Sequence, residues 1–508
     1  MSRIKTNISI YTARCIRFAL RLFNKGATTL PGKIALKIQP DLIRLLAENK
    51  DIIVITGTNG KTTTTHMTAK TLETAGYTVI TNVSGANLAT GIATTMIDGI
   101  STHKKCIRNK EKIVYVLEMD EAAFSKTNSS LKPKVHVITN LFRDQLDRYG
   151  EITYTRDLLD KGLNSSGEGV ILLNADDSMV ASLKKNREDK IIFFGMHKDA
   201  MKTEITTGNS PHNNVTDLNE SGNTAKSSEI ISDAAYCLFC RNKYEYNARS
   251  FGHLGDFFCP KCGFKRTEPE FSFSYSMHQK NPENEKIMTP SDTGFPVELH
   301  VKCESQKCES QKVETTIPGI HNFYNLISAV CACSVFGEIK NDKNLSFVSV
   351  CKAVQESRPA FGRMEKIKIG NKYICLLLVK NPIGLERALS FVSEASDAGG
   401  LYFLLNSNIA DGKDVSWIWD VDFESRSYPR HVFVSGERYG DMALRLFYAG
   451  ISREKMETVP IDSCAELMET ALARCEIGEC LYILPNYTSM LYLRKILVEK
   501  YKLKDFWK

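Results

Sequence analysis

The segment TGTNGKTTTT (56–65) follows the apolar run DIIVI and leads into a helical stretch. Its spacing is that of a loop built to hold phosphate. Glycine at 57 and 60 lets the backbone turn its N–H groups inward, so that Gly57, Thr58, Asn59 and Gly60 would face the β- and γ-phosphates of a nucleotide. Lys61 supplies a cation, the Thr62 hydroxyl can ligate magnesium at the helix N-terminus, and Thr63 follows in the same turn. The general phosphate-loop pattern wants another glycine five residues before Gly60, where this chain has Ile55. The match is therefore to the shorter GTNGKT form. Further on, KIVYVLE (112–118) ends in Glu118, and a carboxylate at the end of a parallel strand beside such a loop is placed to hold a magnesium ion. VITNLFRDQLDRYGE (137–151) then sets Asn140, Asp144 and Asp147 behind the next strand.

A second group of residues has metal chemistry. Most of the fifteen cysteines stand in apolar surroundings such as VCACSVF (330–336), where they read as small buried hydrophobes. Four differ. Cys237 and Cys240 form one CxxC pair, Cys259 and Cys262 another, with eighteen residues between the pairs. That spacing suits a tetrahedral zinc site in which each pair turns in a tight knuckle and four thiolates converge. Four sulfur ligands leave no open position for water, so the Zn2+ is expected to be structural. No ligand place remains for His253, which lies between the knuckles.

These groups need a scaffold, and the hydrophobic pattern supplies one. DIIVITG (51–57), KIVYVLE (112–118), VHVITN (135–140) and GVILLNA (169–175) are short, rich in β-branched residues and separated by helical stretches. That alternation predicts a parallel α/β sheet. Residues 198–231 turn polar and lose apolar periodicity, as does HQKNPENEKIMTPSD (278–292). FPVELHVKC (295–303) alternates like a strand, and CESQKCESQK (303–312) repeats five residues in tandem. A hairpin lengthened by slippage explains the repeat better than a metal site, because Cys303 and Cys308 lack the two-residue spacing. An α/β pattern resumes at 358, suggesting a second Rossmann-like domain.

The chain has 508 residues, 43% of them apolar and 25% charged. This balance excludes collagen-like, coiled-coil and wholly disordered classes. Nearly apolar runs such as ICLLLV (374–379) fall far short of the ~20 residues that cross a bilayer. No short apolar core with a small-residue cleavage site follows the N-terminus, so a secretory signal is not expected and the location read from the sequence is cytoplasmic. The net charge of +7 is concentrated: residues 1–40 hold eight Lys or Arg and no acid, while the rest balances 58 basic against 59 acidic residues. Within that segment Ile4, Ile8, Tyr11, Cys15, Phe18 and Leu22 step along one helix face, with Arg14, Arg17, Arg21 and Lys25 on a neighbouring one. One reading is a helix packed on its own domain. The other is contact with an anionic membrane surface or substrate. A mitochondrial transit peptide has a similar composition, but LPGKIALKIQP runs on into folded-looking sequence without a break.

Taken together, GTNGKT, the strand-end Glu118, TNLFRDQLDRYGE, LLNADD (172–177) and PGIHNFYN (318–325) resemble the Mur ligase superfamily, which couples ATP cleavage to amide formation through an acyl-phosphate. Four features resemble its amidating branch rather than its amino-acid-adding members. A basic N-terminal segment replaces a UDP-sugar-binding domain, DQLDRYGE stands where the ligases commonly have DHLDxH, and a four-cysteine ribbon interrupts the central domain. KNPIG (380–384) and NSNIADGKDVSWIWDVDFE (406–424) look like that branch's own C-terminal domain. The expected fold class is α/β, with a Mur ligase-type central phosphate-loop domain, an inserted zinc ribbon and a C-terminal Rossmann-like α/β domain. The expected divisions are a basic amphipathic segment at 1–45, a central ATP-binding domain at 46–356 with an insertion at 198–312 and the ribbon at 232–270, and a C-terminal domain at 357–508.

The resemblance implies ATP-dependent amidation of the D-glutamate α-carboxylate of the lipid II stem peptide, during peptidoglycan synthesis. Ammonia would come from a GatD-like glutaminase subunit in a heterodimer, and the substrate would lie at the inner face of the membrane. Carried over by position, Lys61 and Thr62 bind ATP phosphates and Mg2+, Glu118 is a further metal ligand, and Asn322 and Asn325 match an HNxxN segment near the nucleotide. Arg363, in FGRMEK, matches an arginine that reaches phosphate. Gln145 stands where many Mur ligases have a metal-binding histidine, which implies a changed second metal site. A carbamylated lysine is usual about fifteen residues later, where Asp160 and Lys161 lie. In the C-terminal domain an Asp would complete the glutaminase's Cys–His pair, and among Asp411, Asp414, Asp420 and Asp422 the favoured residue is Asp420 at the end of SWIWD. Trp417 and Trp419 read as core or interface anchors.

Two other readings compete. One is a Mur-type or folylpolyglutamate-type ligase that adds an amino acid. The other is a nucleic-acid-binding NTPase, but the ribbon lacks a basic stripe beyond Lys261, Lys265 and Arg266, so nucleic acid is not an expected partner.

Overall fold

A computed structural model describes residues 2–22, 28–82, 85–143, 152–166, 169–185, 187–201, 233–275, 295–302, 308–315, 319–356, 363–408 and 411–501. The chain divides near residue 358 into two compact units.

The first unit opens with α1 (Ser2–Leu22), α2 (Leu30–Ile38) and α3 (Leu42–Ala47). The nucleotide-binding pattern follows as β1 (Ile52–Thr56), α4 (Lys61–Thr74), β2 (Thr78–Thr81), α5 (Ala89–Asn109), β3 (Ile113–Glu118), α6 (Glu121–Leu131) and β4 (Val135–Ile138). After these come α7 (Ile152–Asn164), β5 (Val170–Asn174), the short α8 (Ser178–Ala181) and β6 (Ile191–Met196). Strands β1, β3, β4 and β5 are buried at every position, which is what parallel strands covered on both faces require, and their runs of Ile, Val and Leu meet it. An antiparallel ribbon, β7 (Glu245–Phe251) and β8 (Leu254–Phe258), precedes β9 (Phe271–Tyr275), β10 (Phe295–Lys302) and β11 (Cys308–Thr315). Then α9 (Ile320–Lys340) and α10 (Phe347–Val354) complete the unit. The large sheet has the order β11-β10-β9-β6-β5-β4-β1-β3-β2. It therefore recruits β9, β10 and β11 from a stretch the sequence places in or beside an insertion. Cys308 begins β11, whose partner across the hairpin is β10.

Among the described residues, α9 is the one helix long and apolar enough by composition to cross a membrane. It lies buried along 89% of that apolar window, serving as the unit's core helix.

His136 sits in the middle of β4, fully buried, edge-on to Phe124 and 3.2 Å from Ser166 Oγ. Burial pushes its pKa from 6.5 down to about 4, against the opposing effect of a backbone hydrogen bond at Val170. The fold thus holds a neutral ring while the unfolded chain takes up a proton near 6.5, so this contribution is present above pH 6.5 and is lost as pH falls toward 4. The expected loss by pH 5 is about 2 kcal/mol. Thermal or urea unfolding at pH 7 and pH 5 should show that slope, and His136→Gln should flatten it whatever the variant does to stability at pH 7.

The helix α1 reverses the simplest expectation from its periodicity. It packs on α2 through its small residues: Ser9 and Ala13 are buried, and Ser9 Oγ donates to Ala35 O at 2.8 Å. Arg17 pairs with Asp98 of α5. Ile4, Ile8, Tyr11 and Phe18, the apolar face, are turned to solvent at 51–68% exposure, with Cys15 exposed among them.

The second unit is a six-stranded sheet built from β12 (Arg363–Ile369), β13 (Lys372–Leu377), α11 (Pro382–Glu394), β14 (Ala398–Leu404) and β15 (His431–Ser435). It continues through α12 (Tyr439–Tyr448), β16 (Met456–Thr458), α13 (Cys464–Arg474), β17 (Cys480–Pro485) and α14 (Tyr487–Tyr501). Its order is β12-β13-β17-β14-β15-β16, parallel apart from the β12–β13 hairpin. Helices cover both faces, giving one core around Leu385, Phe403 and Ile418 and another around Tyr402, Met468 and Leu493.

Candidate functional site

The loop between β1 and α4 turns on two glycines. Gly57 has φ +123 and Gly60 φ +84, the left-handed region that side chains avoid. A Cβ at Gly57 would collide with Thr139 Oγ1, and one at Gly60 with Asn325 Oδ1. The residues behind β4 brace the loop: Asn140 O accepts from Thr58 N at 2.8 Å, Asn140 Oδ1 from Asn59 N at 2.9 Å, and Asn59 O accepts from Thr139 Oγ1 at 2.8 Å. Lys61 begins α4 and is buried. Its ammonium donates to Gly57 O at 2.5 Å and Thr58 O at 3.3 Å, and pairs with Glu121 Oε1 at 3.3 Å. Thr62 is half-buried and Thr63 buried in the same first turn. The Thr58 and Asn59 amides are thus turned to Asn140 and not to a ligand, a correction to the expectation that all four residues 57–60 face phosphate; what suits a polyphosphate is the N-terminus of α4 with the Lys61 cation beside it.

Sheet register brings the acidic groups to the same edge. Glu118 pairs in register with Ile55 of β1, one residue before the loop. Its backbone is clasped by Asn82, whose Oδ1 accepts from Glu118 N at 2.9 Å and whose Nδ2 donates to Glu118 O at 3.0 Å. Asn87 Nδ2 reaches Glu118 Oε1 at 3.4 Å. Glu121, which the sequence reading does not single out, is the closer carboxylate to Lys61. The signal was in LEMDEAAF: Asp120 caps α6 by accepting from Ala122 N, which places Glu121 in the first turn, facing the loop. From the far end of the chain, α9 delivers Asn325 and Asn322 to the loop, with Asn325 Oδ1 accepting from Thr64 Oγ1 at 3.4 Å and its Nδ2 donating to Asn322 Oδ1 at 3.2 Å. Ser328 adds a 3.2 Å contact to Thr64 Oγ1.

Other expected residues fall elsewhere. Asp144, Gln145 and Asp147 lie outside the described residues, as does the side chain of Arg363, whose backbone begins β12 of the second unit. Asp160 pairs with Arg187 at 2.5 Å and Arg156 at 3.3 Å, while Lys161 is on the exposed side of α7.

The four cysteines converge. Cys237 Sγ lies 3.5 Å from Cys262 Sγ and Cys240 Sγ 3.4 Å from Cys259 Sγ, with all four within 4.8 Å of one another. A tetrahedron of ~2.3 Å Zn–S bonds has sulfurs about 3.8 Å apart, so the cluster fits a zinc ion. Gly263 follows with φ +74, as the knuckle turn needs. At Cys259 desolvation raises the thiol's pKa, yet the Cys262 amide, the Cys240 side chain and the Lys261 amide bring it down to about 7.

This ribbon is stitched to the nucleotide sheet by buried charges. Arg266 Nε donates to Asp176 Oδ1 at 2.6 Å, and Tyr324 of α9 to Asp176 Oδ2 at 2.5 Å. His253 Nε2 stands 3.3 Å from Asp177 Oδ1, both fully buried. Asp177 also caps α8 and accepts from Leu141 N at 2.7 Å. Leu141 is the residue after Asn140 and Asp177 the residue after Asp176, so polar contacts and chain neighbours together link the ribbon to the phosphate loop.

In the second unit the four candidate aspartates have distinct roles. Asp411 is buried, and its carboxylate accepts from Thr488 N at 2.8 Å and from the Thr488 hydroxyl. Asp414 accepts from Ser416 N at 2.8 Å and Asp422 from Ser425 N at 3.1 Å, both as local caps. Asp420 closes a short 3-10 helix, Ser416–Asp420, and its carboxylate pairs with Arg143, which is grouped with this unit, at 3.6 Å. Trp417 packs against the core, whereas Trp419 is exposed and meets Tyr448 edge-on at 5.7 Å. Leu444 and Phe447 of α12 are exposed as well, so an aromatic surface borders Asp420.

A sheet whose parallel strands carry this loop at their ends, with a lysine and carboxylates converging on it, suits an ATP-dependent ligase of the Mur type. Residues 55–231 match the family model of the Mur ligase middle domain, and residues 378–490 that of the MurT ligase C-terminal domain. Among solved structures, a pseudomurein peptide ligase type C from Methanothermus fervidus is similar at a TM-score of 0.59 and 18% identity, covering 91% of this chain and 81% of that one. MurF ligase from Thermotoga maritima, in complex with ADP, is similar at 0.55 and 11%, covering 92% and 84%. The lipid II isoglutaminyl synthase subunit MurT of Streptococcus pneumoniae strain R6 is 31% identical over 502 residues, 98% of each chain. The chain belongs to the MurT family.

Proposed function

We propose that this chain is the ATP-dependent synthetase subunit of a lipid II isoglutaminyl synthase. The γ-phosphoryl group of ATP passes to the α-carboxylate of D-glutamate in the lipid II stem peptide, giving an acyl-phosphate and ADP. Ammonia attacks the acyl carbon, phosphate departs, and D-isoglutamine remains. The observation that carries this reading is the identity with the pneumococcal subunit through 98% of both chains, which takes in the second unit as well as the phosphate loop.

In this reading the N-terminus of α4, from Gly60 to Thr63, faces the phosphates while Asn140 holds the Thr58 and Asn59 amides, and Lys61 neutralises charge on the transferred group. Thr62 and Glu118 offer hard oxygen ligands that suit Mg2+, which when bound offsets the charge of the β- and γ-oxygens. Asn322 and Asn325 fix the loop against α9, and Arg363 matches by sequence position the arginine that binds phosphate in the family. The zinc of the four-cysteine ribbon holds structure and takes no part in the chemistry.

Ammonia comes from a GatD-like glutaminase that forms a heterodimer with this chain, and lipid II presents its stem peptide at the inner face of the membrane. The exposed Trp419, Leu444, Phe447 and Tyr448 support a docking surface for that partner, since aromatic residues anchor interfaces. Asp420 beside them orients the glutaminase's catalytic histidine. Asp420→Asn should then lower glutamine-driven amidation by about 10²- to 10⁴-fold while amidation driven by ammonium chloride stays unchanged. A loss of both rates together, or of neither, would remove Asp420 from this role.

A further inference from the structure

The structure assigns the outward face of α1 as an in-plane anchor for an anionic lipid bilayer. The helix is 21 residues long, about 31 Å along its axis. Ile4, Ile8, Tyr11, Cys15 and Phe18 form one stripe on it, and each is exposed. A helix held to its domain for stability alone would turn that stripe inward. Here the inward face is the weaker one, with Ser9 bonded to Ala35 O of α2, Ala13 buried and Arg17 paired with Asp98.

The charge pattern selects the occupant. Exposed Lys5 and Arg14 border the stripe on its two sides, and residues 1–40 carry eight basic groups without one acid. An apolar stripe between cations fits the headgroup boundary of an anionic membrane, where the side chains enter the acyl region and the cations meet lipid phosphate. A second copy of this chain, bringing the same cations to the same stripe, would meet repulsion instead. The inference rests on the lipid-linked substrate proposed above: docking by α1 would confine the enzyme to the surface that presents that substrate.

The test is co-sedimentation of the full chain with its glutaminase partner on vesicles of phosphatidylglycerol and phosphatidylcholine, compared with phosphatidylcholine alone. Binding should require phosphatidylglycerol, weaken with added salt, and fall at least about tenfold in Ile8→Glu/Phe18→Glu. Arg14→Glu should weaken it without touching the apolar stripe. Amidation of detergent-solubilised lipid II should be the same in wild type and variants. Wild-type protein that stays off the vesicles, a double variant that binds as well as wild type, or a stripe-dependent dimer in sedimentation without lipid would each overturn the anchor. None of those outcomes bears on amidation in detergent, and loss of that activity from wild-type protein would instead overturn the proposed function.

Discussion

Replacing Lys61 with methionine should lower the rate of ATP turnover by roughly 10²- to 10³-fold or more, the scale found when one pre-organised charge donor is lost from a transition state. The geometry makes the variant informative because Lys61 has a second task. Its ammonium is buried 3.3 Å from Glu121, and removing it alone leaves a buried carboxylate without its cation. That imbalance costs about 3–5 kcal/mol of stability. Lys61→Met should therefore be both inactive and less stable. Adding Glu121→Gln should recover most of the stability, since the remaining amide is neutral, yet recover none of the turnover. Unfolding midpoints and ADP release measured on the two variants separate the roles. Recovery of activity in the double variant would mean that Lys61 acts only as a structural counter-ion.

The second large effect concerns the ribbon. Protein as purified should carry about one zinc ion per chain, and Cys259→Ser should abolish it. Structural zinc sites contribute an apparent ~10–16 kcal/mol in small domains, so the ribbon should lose its order outright. The damage should also travel. Arg266 and His253 belong to the ribbon and hold Asp176 and Asp177, and Asp177 accepts from Leu141 N beside the asparagine that braces the loop. Nucleotide affinity should fall along with the unfolding temperature, readable by titrating a fluorescent ATP analogue with magnesium in excess. Unchanged affinity after zinc loss would mean that the ribbon is energetically separate from the loop.

What the sequence revealed and what it hid follow the range of the interactions. The phosphate loop was legible because its chemistry is local: two glycines, a lysine and a threonine within six residues, behind a β-branched run. The four cysteines were legible because a knuckle needs only two intervening residues. Strand-end Glu118 could be read from its position, but Glu121 could not be told from an ordinary helix-start acid until α6 turned it toward Lys61. Asp176, Arg266 and Tyr324 meet across separations of 90 and 148 residues, which no spacing rule encodes. The recruitment of β9, β10 and β11 into the main sheet is likewise a matter of non-local pairing. In α1 the period was plain, but its direction was not. An apolar stripe reads as a core face, and only the packing of Ser9 and Ala13 on α2 shows that this one points outward.

The central claim is amide formation on lipid II, and the most direct measurement is mass spectrometry of the lipid after incubation with the chain, magnesium-ATP and nitrogen-15 ammonium chloride. The account predicts a product in which one hydroxyl has been exchanged for a labelled amino group, formed in step with ADP. A product heavier by an amino acid residue when amino acids are supplied, or ATP turnover with the lipid unchanged, would contradict it.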